Sequence, residues 1–253
     1  MNHVVCFANR EIGARIASDL ICLAGIEVVS IVTNDPPYDD FPIQPAMKDI
    51  PIVSWSRFVE AAEIDGIEFF AGLSILFRHR VPRSILSNFS RGVVNLHPSL
   101  LPFGRGSRPA TWAIWQSEPY GASAHLMSEE LDAGPLLGQI EIAVEPWDTS
   151  HSLYRRGVDA LWDIYASRVR PWITGGDGDL VPQSGGGTMH TIEDFKRLQL
   201  YARDSVLPMG DHIRLVRALS LGPAGGLKIP QDGLVVDVQA AVHPPQSPDE
   251  ELS

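Results

Sequence analysis

Val4-Val5-Cys6-Phe7-Ala8 is a short apolar run rich in β-branched residues, too short for a helix and suited to a buried strand. Ile12, Ile16, Leu20 and Leu23 then fall at helical spacing, and Gly25 is placed to end that helix. A second apolar run, Val28 to Val32, completes strand, helix and strand within about 30 residues, the pattern of a parallel βαβ unit. Outward from it the alternation continues: a strand at Ile52–Val53, a helix over 56–62, a strand over 69–75, a short helix over 82–89 and a strand over 92–96. Such alternation predicts an open parallel sheet covered by helices. Ligands in these folds bind beyond the carboxyl ends of the strands, which directs attention to 77–80 and 95–108.

The middle of the chain reads as a helix over 109–117, strands over 122–126 and 136–144, and a long amphipathic helix from about 150 to 170. The composition then changes. Residues 175–187 hold six glycines and one proline, which reads as a loop or linker. Two short helices follow, over 192–200 and 211–219, and then a hairpin of 227–229 and 234–238 around Gln231-Asp232-Gly233. The fold class expected is α/β: a Rossmann-like, mostly parallel sheet flanked by helices, with a small C-terminal appendage of helices and a β-hairpin. Its parts would be a catalytic domain over 1–173, a glycine-rich linker over 174–190, the appendage over 191–240 and a disordered tail over 241–253.

At 253 residues the chain can bury a large core, and 44% hydrophobic with 20% charged residues is a globular balance. Twenty basic against 31 acidic residues give a net charge of -11, which argues against nucleic acid as the main partner. Cys6 and Cys22 cannot build a disulfide framework and fit a reduced compartment. With no signal-like N-terminus and no apolar run near the ~18–20 residues of a membrane span, a cytoplasmic protein without a membrane partner is expected. GxGxxG after the first strand, GxxxxGK[ST], HExxH, CxxC and GxSxG are all missing from the sequence.

What stands out is Asn95-Leu96-His97-Pro98-Ser99-Leu100-Leu101-Pro102, immediately after a buried strand. Asn95 and His97 are two apart on an extended strand end, so both side chains can face one side of the sheet. A histidine there, with a carboxylate from a neighbouring loop, suits proton transfer near neutral pH, and an asparagine amide can donate to an oxyanion. The same residues could equally form a capped turn, and Asp132 with Gly134 another. His125 reads as a hydrogen-bonded core residue, and His79, between Arg78 and Arg80, as a solvated loop residue.

The run from Asn95 to Pro102, with Arg105-Gly106, Pro109, Trp112-Ala113-Ile114, Gly121, His125 and Leu131-Asp132-Ala133-Gly134, resembles the 10-formyltetrahydrofolate-dependent formyltransferases, over about residues 3–173. The resemblance implies a catalytic set of Asn95, His97 and Asp132. It implies a folate pterin held by the loop Leu76, Phe77, Arg78, His79, Arg80 and Val81 on one side and by Leu131, Ala133 and Gly134 on the other. It requires no metal, since an amine is already a competent nucleophile. The chain departs from the family at Gly121-Ala122-Ser123-Ala124, where Gly-Val-Thr often precedes the second histidine.

Within that family a methionyl-tRNA enzyme would carry a larger, basic C-terminal domain, and the purine enzyme would leave 190–253 unexplained. The segments Thr191–Phe195 and His212–Leu219, followed by the hairpin, instead resemble the tails of nucleotide-sugar N-formyltransferases. This implies a small-molecule amine acceptor, a nucleoside-diphosphate amino sugar, and a homodimer formed through the C-terminal region. Arg105, Gly106 and Arg217 are the candidate acceptor-binding residues. Formylation of a non-sugar amine, such as an amino acid or natural-product precursor, and hydrolysis of the formyl donor are the competing activities. Asn95 and protonated His97 would stabilise the oxyanion, while Asp132 positions His97 and helps move the amine proton.

Overall fold

In the computed structural model, which describes residues 1–36, 40–65, 68–204, 206–231 and 234–242, the first βαβ unit forms as its spacing requires. Strand β1 (Asn2–Ala8) leads through helix α1 (Arg10–Ile21) to β2 (Ile26–Thr33), and the two strands pair in parallel. The chain continues through β3 (Ile52–Ser54), α2 (Trp55–Asp65), β4 (Ala71–Ile75), α3 (Arg83–Leu86), β5 (Val93–His97), β6 (Arg105–Gly106), α4 (Pro109–Trp115), β7 (Tyr120–Leu126) and β8 (Leu136–Ile142). The main sheet runs β3-β2-β1-β4-β5-β7-β8. The pairs from β3 to β5 are parallel, whereas β7 and β8 add antiparallel at one edge.

Both faces of the sheet are covered. Val4, Cys6 and Ala8 of β1 enter the core shared with α1, while Val5 and Phe7 enter the core on the opposite face with Phe58 and Ile85. This explains why β1 reads as a continuous apolar run rather than an alternating one. Because β2 and β4 flank β1, successive connections leave the sheet in opposite directions and open a crevice beyond the carboxyl ends of β1 and β4.

The helix expected over 150–170 is in three parts. Helix α5 (Ser150–Ile164) starts in a reciprocal cap between Thr149 and Ser152, and a π-helical turn spans Tyr165–Val169 before α6 (Arg170–Ile173). Pro171 has no amide hydrogen to return to a carbonyl one turn back, and the wider turn ahead of it lets the helical path continue. Tyr165, fully buried in that turn, donates to Asp19 at 2.7 Å.

The stretch expected to be a linker makes specific contacts. Val181 forms a bridge with Leu136, and β9 (Met189–His190) pairs in parallel with β6. Its glycines permit close approach: Gly187 has φ +90°, and a Cβ there would strike the carbonyl of Pro102. Beyond it, α7 (Ile192–Asp204), α8 (Met209–Leu219) and the hairpin β10 (Leu227–Gln231) and β11 (Leu234–Val238) form the appendage. Phe195, Leu198, Leu215, Leu219 and Leu227 pack around Trp112 of α4. Asp232-Gly233 of the expected hairpin turn, and 243–253 of the expected tail, lie outside the described residues. Among the described residues no helix is long and apolar enough to cross a membrane.

Candidate active site

Strand β5 carries Asn95 and His97 to the carboxyl edge of the sheet. Register places Asn95 between Ser74 on β4 and His125 on β7. The Ser74 hydroxyl donates to Asn95 Oδ1 at 2.9 Å, which turns the amide nitrogen toward His125 Nε2 at 3.2 Å and Asp132 Oδ1 at 3.5 Å. His125 Nδ1 lies 3.0 Å from the Leu126 carbonyl, which can only accept, so Nδ1 carries a proton. By the same argument His97 Nε2, 3.0 Å from the Gly104 carbonyl, is a donor.

Asp132 sits between the two imidazoles, with Oδ2 3.8 Å from His97 Nε2 and Oδ1 3.6 Å from His125 Nε2. The amide of Gly106 donates to Oδ2 at 2.9 Å. Its backbone is left-handed, with φ 51°, and its side chain is 8% exposed. Burial opposes its charge, but His97, His125 and the Gly106 amide more than offset burial and hold the carboxyl well below the usual carboxylate range. The structure therefore brings Asn95, His97 and Asp132 into one buried cluster.

His125 is buried and hydrogen-bonded, as the sequence suggested, yet its partners are site residues. Ser74 and Gln183 were not singled out by sequence. The Gln183 amide donates to the carbonyls of both Asp132 and Gly134 at 2.8 Å, and its oxygen accepts from Arg105 at 2.8 Å. Ser74 left one signal, a polar residue inside the fully buried strand Ala71–Ile75. Gln183, in the glycine-rich stretch, left none.

The loop Leu76–Val81 begins with a left-handed residue, Leu76 at φ 51°. His79 is half-buried rather than fully solvated: its ring stacks on Trp55 at 5.5 Å and 20° and packs on Phe77 at 5.3 Å. Aromatic neighbours on β1 and α2 make this loop a packed wall. Desolvation lowers the His79 pKa, with Arg78 adding to the fall and Asp35 opposing it. Val81 points into the core, while the Arg78 amide donates to Asn34 at 3.1 Å. Across from this loop, Met127 packs against the same apolar cluster as Phe77 and Val81, and Arg83 meets Glu129 at 3.3 Å. These contacts join the loop to the segment leading into Leu131, Ala133 and Gly134. A Cβ on Gly134 would strike the Leu126 carbonyl, so the turn lies tight against β7.

The candidate acceptor residues separate. Arg105 and Gly106 are at the cluster, with Arg105 held by Gln183 and, at 3.5 Å, by Glu130. Arg217 is on α8, where it donates to the carbonyls of Asp148 and Glu145 at 2.8 and 2.9 Å beside a separate groove of about 340 Å³. A different set of cations gathers at the crevice. Arg10 follows β1, Arg78 follows β4 and Arg108 ends the loop after β5. Desolvation, then the charges of Arg10 and Arg78, lower the pKa of Arg108, whose guanidinium lies 4.3 Å above the Phe195 ring. Arg10 also lines a cleft of about 350 Å³ with Leu76 and Tyr154. Among the described residues no group of three or more His, Cys, Asp or Glu side chains could hold a metal ion.

Residues 74–169 match the formyl transferase family model. The chain is 28% identical over 153 residues to dTDP-4-amino-4,6-dideoxyglucose formyltransferase of Mycobacterium tuberculosis, a match that covers 58% of this chain and 62% of that protein. The chain thus spans less than two thirds of this curated relative. A sugar N-formyltransferase from a Shewanella species superposes with a TM-score of 0.80 at 22% identity, covering 97% of this chain and 100% of that one. An N-formyltransferase from Helicobacter canadensis, solved with folinic acid and dTDP-3-aminofucose, superposes with a TM-score of 0.67 at 14% identity, covering 86% and 80%. At these identities the two structural likenesses establish the fold.

Proposed function

We propose that the chain, whose residues 74–169 match the formyl transferase family model, moves the formyl group of 10-formyltetrahydrofolate to the primary amine of a nucleotide-linked amino-deoxysugar. The observation that carries this reading is the convergence of Asn95, His97 and Asp132 in one buried cluster bordered by the Leu76–Val81 loop. That loop and the 131–134 turn fit a pterin: one is backed by Phe77 and Trp55, the other offers backbone polar groups beside a glycine with no room for a side chain. Bound there, the folate supplies a formyl carbon open to attack by an amine.

The chain's own groups then divide the work. The amide of Asn95, fixed by Ser74, presents an N–H to the oxyanion, and His97 in its protonated form, with Nε2–H kept by the Gly104 carbonyl, supplies a second donor from Nδ1. Asp132, kept ionised by its neighbours, positions His97 and helps guide the amine proton to the folate nitrogen, directly or through water, as the new N–C bond forms and the old C–N bond breaks.

The acceptor's diphosphate needs a local basic spot on an acidic protein. The reading rests on Arg78 and Arg108, with Arg10 beside them, because these cations gather where the loops after β1, β4 and β5 meet. A charge-assisted contact to phosphate is worth roughly 1.5–3 kcal/mol, so Arg78→Ala or Arg108→Ala raises the acceptor KM about tenfold or more while folate affinity holds. Thymidine, uridine and guanosine diphosphates test the acceptor class as protectants against thermal unfolding. A rise in Tm with one of them, lost in Arg108→Ala, supports the assignment. If none protects at millimolar concentration, with or without folate, a small non-nucleotide amine becomes the better reading. Leu200, Tyr201, Met209 and Ile213 leave an exposed apolar surface on α7 and α8, which supports a homodimer formed through the C-terminal region.

A further inference from the structure

We propose that Thr188, backed by Glu118 and His190, is a positioning residue for His97, acting through the Gly104 peptide; this rests on the formyl-transfer reading above. His97 itself is held at Nε2 by the Gly104 carbonyl, 3.0 Å away. That carbonyl belongs to the peptide joining Gly104 to Arg105, and Thr188 grips the chain on both sides of it. The Thr188 hydroxyl accepts from the Gly104 amide at 2.9 Å, and the Thr188 carbonyl accepts from the Arg105 amide at 3.0 Å.

Gly104 needs such a grip. It sits at φ +67°, where glycine is free to move, and it packs against Pro109 and Ser99. The hydroxyl of Thr188 is itself oriented, because its hydrogen goes to Glu118 Oε2 at 2.8 Å and its lone pair is thereby left for Gly104. Glu118 is 8% exposed, and its other oxygen lies 3.3 Å from His190 Nε2. His190 in turn stacks on Trp112 at 3.9 Å and 12°, and its carbonyl accepts from Ser107 at 2.7 Å.

The chain of contacts Glu118–Thr188–Gly104–His97 is continuous, and its members polarise one another in a low-dielectric setting. The next amide along, that of Gly106, donates to Asp132. One short segment after the catalytic domain therefore sets the peptide that holds His97 and the neighbouring peptide that holds Asp132. A positioning residue of this kind controls the orientation of the imidazole rather than substrate affinity, so its loss appears in kcat.

Thr188→Val removes the hydroxyl at constant shape, and Thr188→Ser restores it. The expected result is a kcat lowered about tenfold or more in Thr188→Val, folate KM within about twofold of wild type, and most of kcat regained in Thr188→Ser. Ring ¹⁵N signals of His97, assigned by comparison with His97→Gln, report the same event without turnover. Wild type shows the signal of an Nε2–H held by the Gly104 carbonyl, and in Thr188→Val that signal shifts as the hydrogen bond weakens. If Thr188→Val does not fold, Glu118→Gln carries the test, with a smaller shift in the same direction. Unchanged kcat and unchanged His97 signals in the folded variant overturn the proposal. A wild-type protein with no formyl transfer, yet with His97 signals that respond to Thr188→Val, overturns the functional reading and leaves the positioning role standing.

Discussion

Asn95 is the residue on which the proposed chemistry turns, and its environment fits that role. Its amide oxygen is occupied by Ser74, so only the NH₂ end is directed into the site. Asn95→Ala keeps folate binding, measured by fluorescence titration, and lowers turnover by about 10²–10³, the usual loss for one oxyanion donor. Wild-type turnover with the chemical step limiting would remove Asn95 from the mechanism. Asp132 makes a second prediction through pH. Its folded pKa lies below its unfolded value near ~4, so the unfolded chain binds the extra proton and the stabilising contribution is complete above that pH. As pH falls from about 5 toward 3, urea unfolding shows the stability advantage of wild type over Asp132→Asn shrinking. A gap that stays constant over that range contradicts the electrostatic account of Asp132. Asn95 and His97 were singled out from the compact run Asn95–Pro102, and Asp132 from a separate run, Leu131–Gly134, 37 residues beyond Asn95. Ser74 and His125 reach Asn95 across 21 and 30 residues, and only strand pairing brings them there. His79 was misread because nothing local to Arg78-His79-Arg80 reveals Trp55.

Elements were legible wherever period and length agreed. The βαβ start and strands β4 and β5 follow from apolar runs bounded by turns, although β4 begins at Ala71 because Phe69 makes only an isolated bridge with Phe89. Helix α5 was legible in its apolar stripe but not in its end, since the π turn depends on how Pro171 meets the preceding turn. Its start rests on the Thr149 and Ser152 cap, with bonds of 3.2 and 3.0 Å. Thr149→Ala therefore costs about 1 kcal/mol in urea unfolding and leaves kcat unaltered, because the bonds of the cap run between Thr149 and Ser152 alone. A loss of turnover without loss of stability would mean that α5 does more than support the sheet. The glycine-rich stretch was the least legible element. Composition cannot separate glycines that give flexibility from glycines that admit a neighbouring backbone, and Gly187 against Pro102 is the second kind.

At the scale of the whole molecule, a net charge of -11 coexists with a local gathering of Arg10, Arg78 and Arg108 at the crevice. Three loops from separate strands concentrate positive charge at the crevice of an otherwise acidic chain. The sequence disclosed the arginines but not their meeting, which follows from the strand order. The appendage packs on Trp112 and leaves apolar side chains outward, so sedimentation equilibrium is expected to give a dimer that Tyr201→Glu with Ile213→Glu converts to monomer. A wild-type monomer at micromolar concentration would contradict that assembly. The central claim is formyl transfer itself. Protein incubated with 10-formyltetrahydrofolate carrying a ¹³C formyl group, and with a panel of nucleotide-linked amino sugars and simple amines, is followed by mass spectrometry of the amines. The predicted result is ¹³C-formyl label on a nucleotide-linked amino sugar, falling about 10²–10³-fold with Asn95→Ala. Label on no amine, with ¹³C-formate released at the same rate by both proteins, would contradict it.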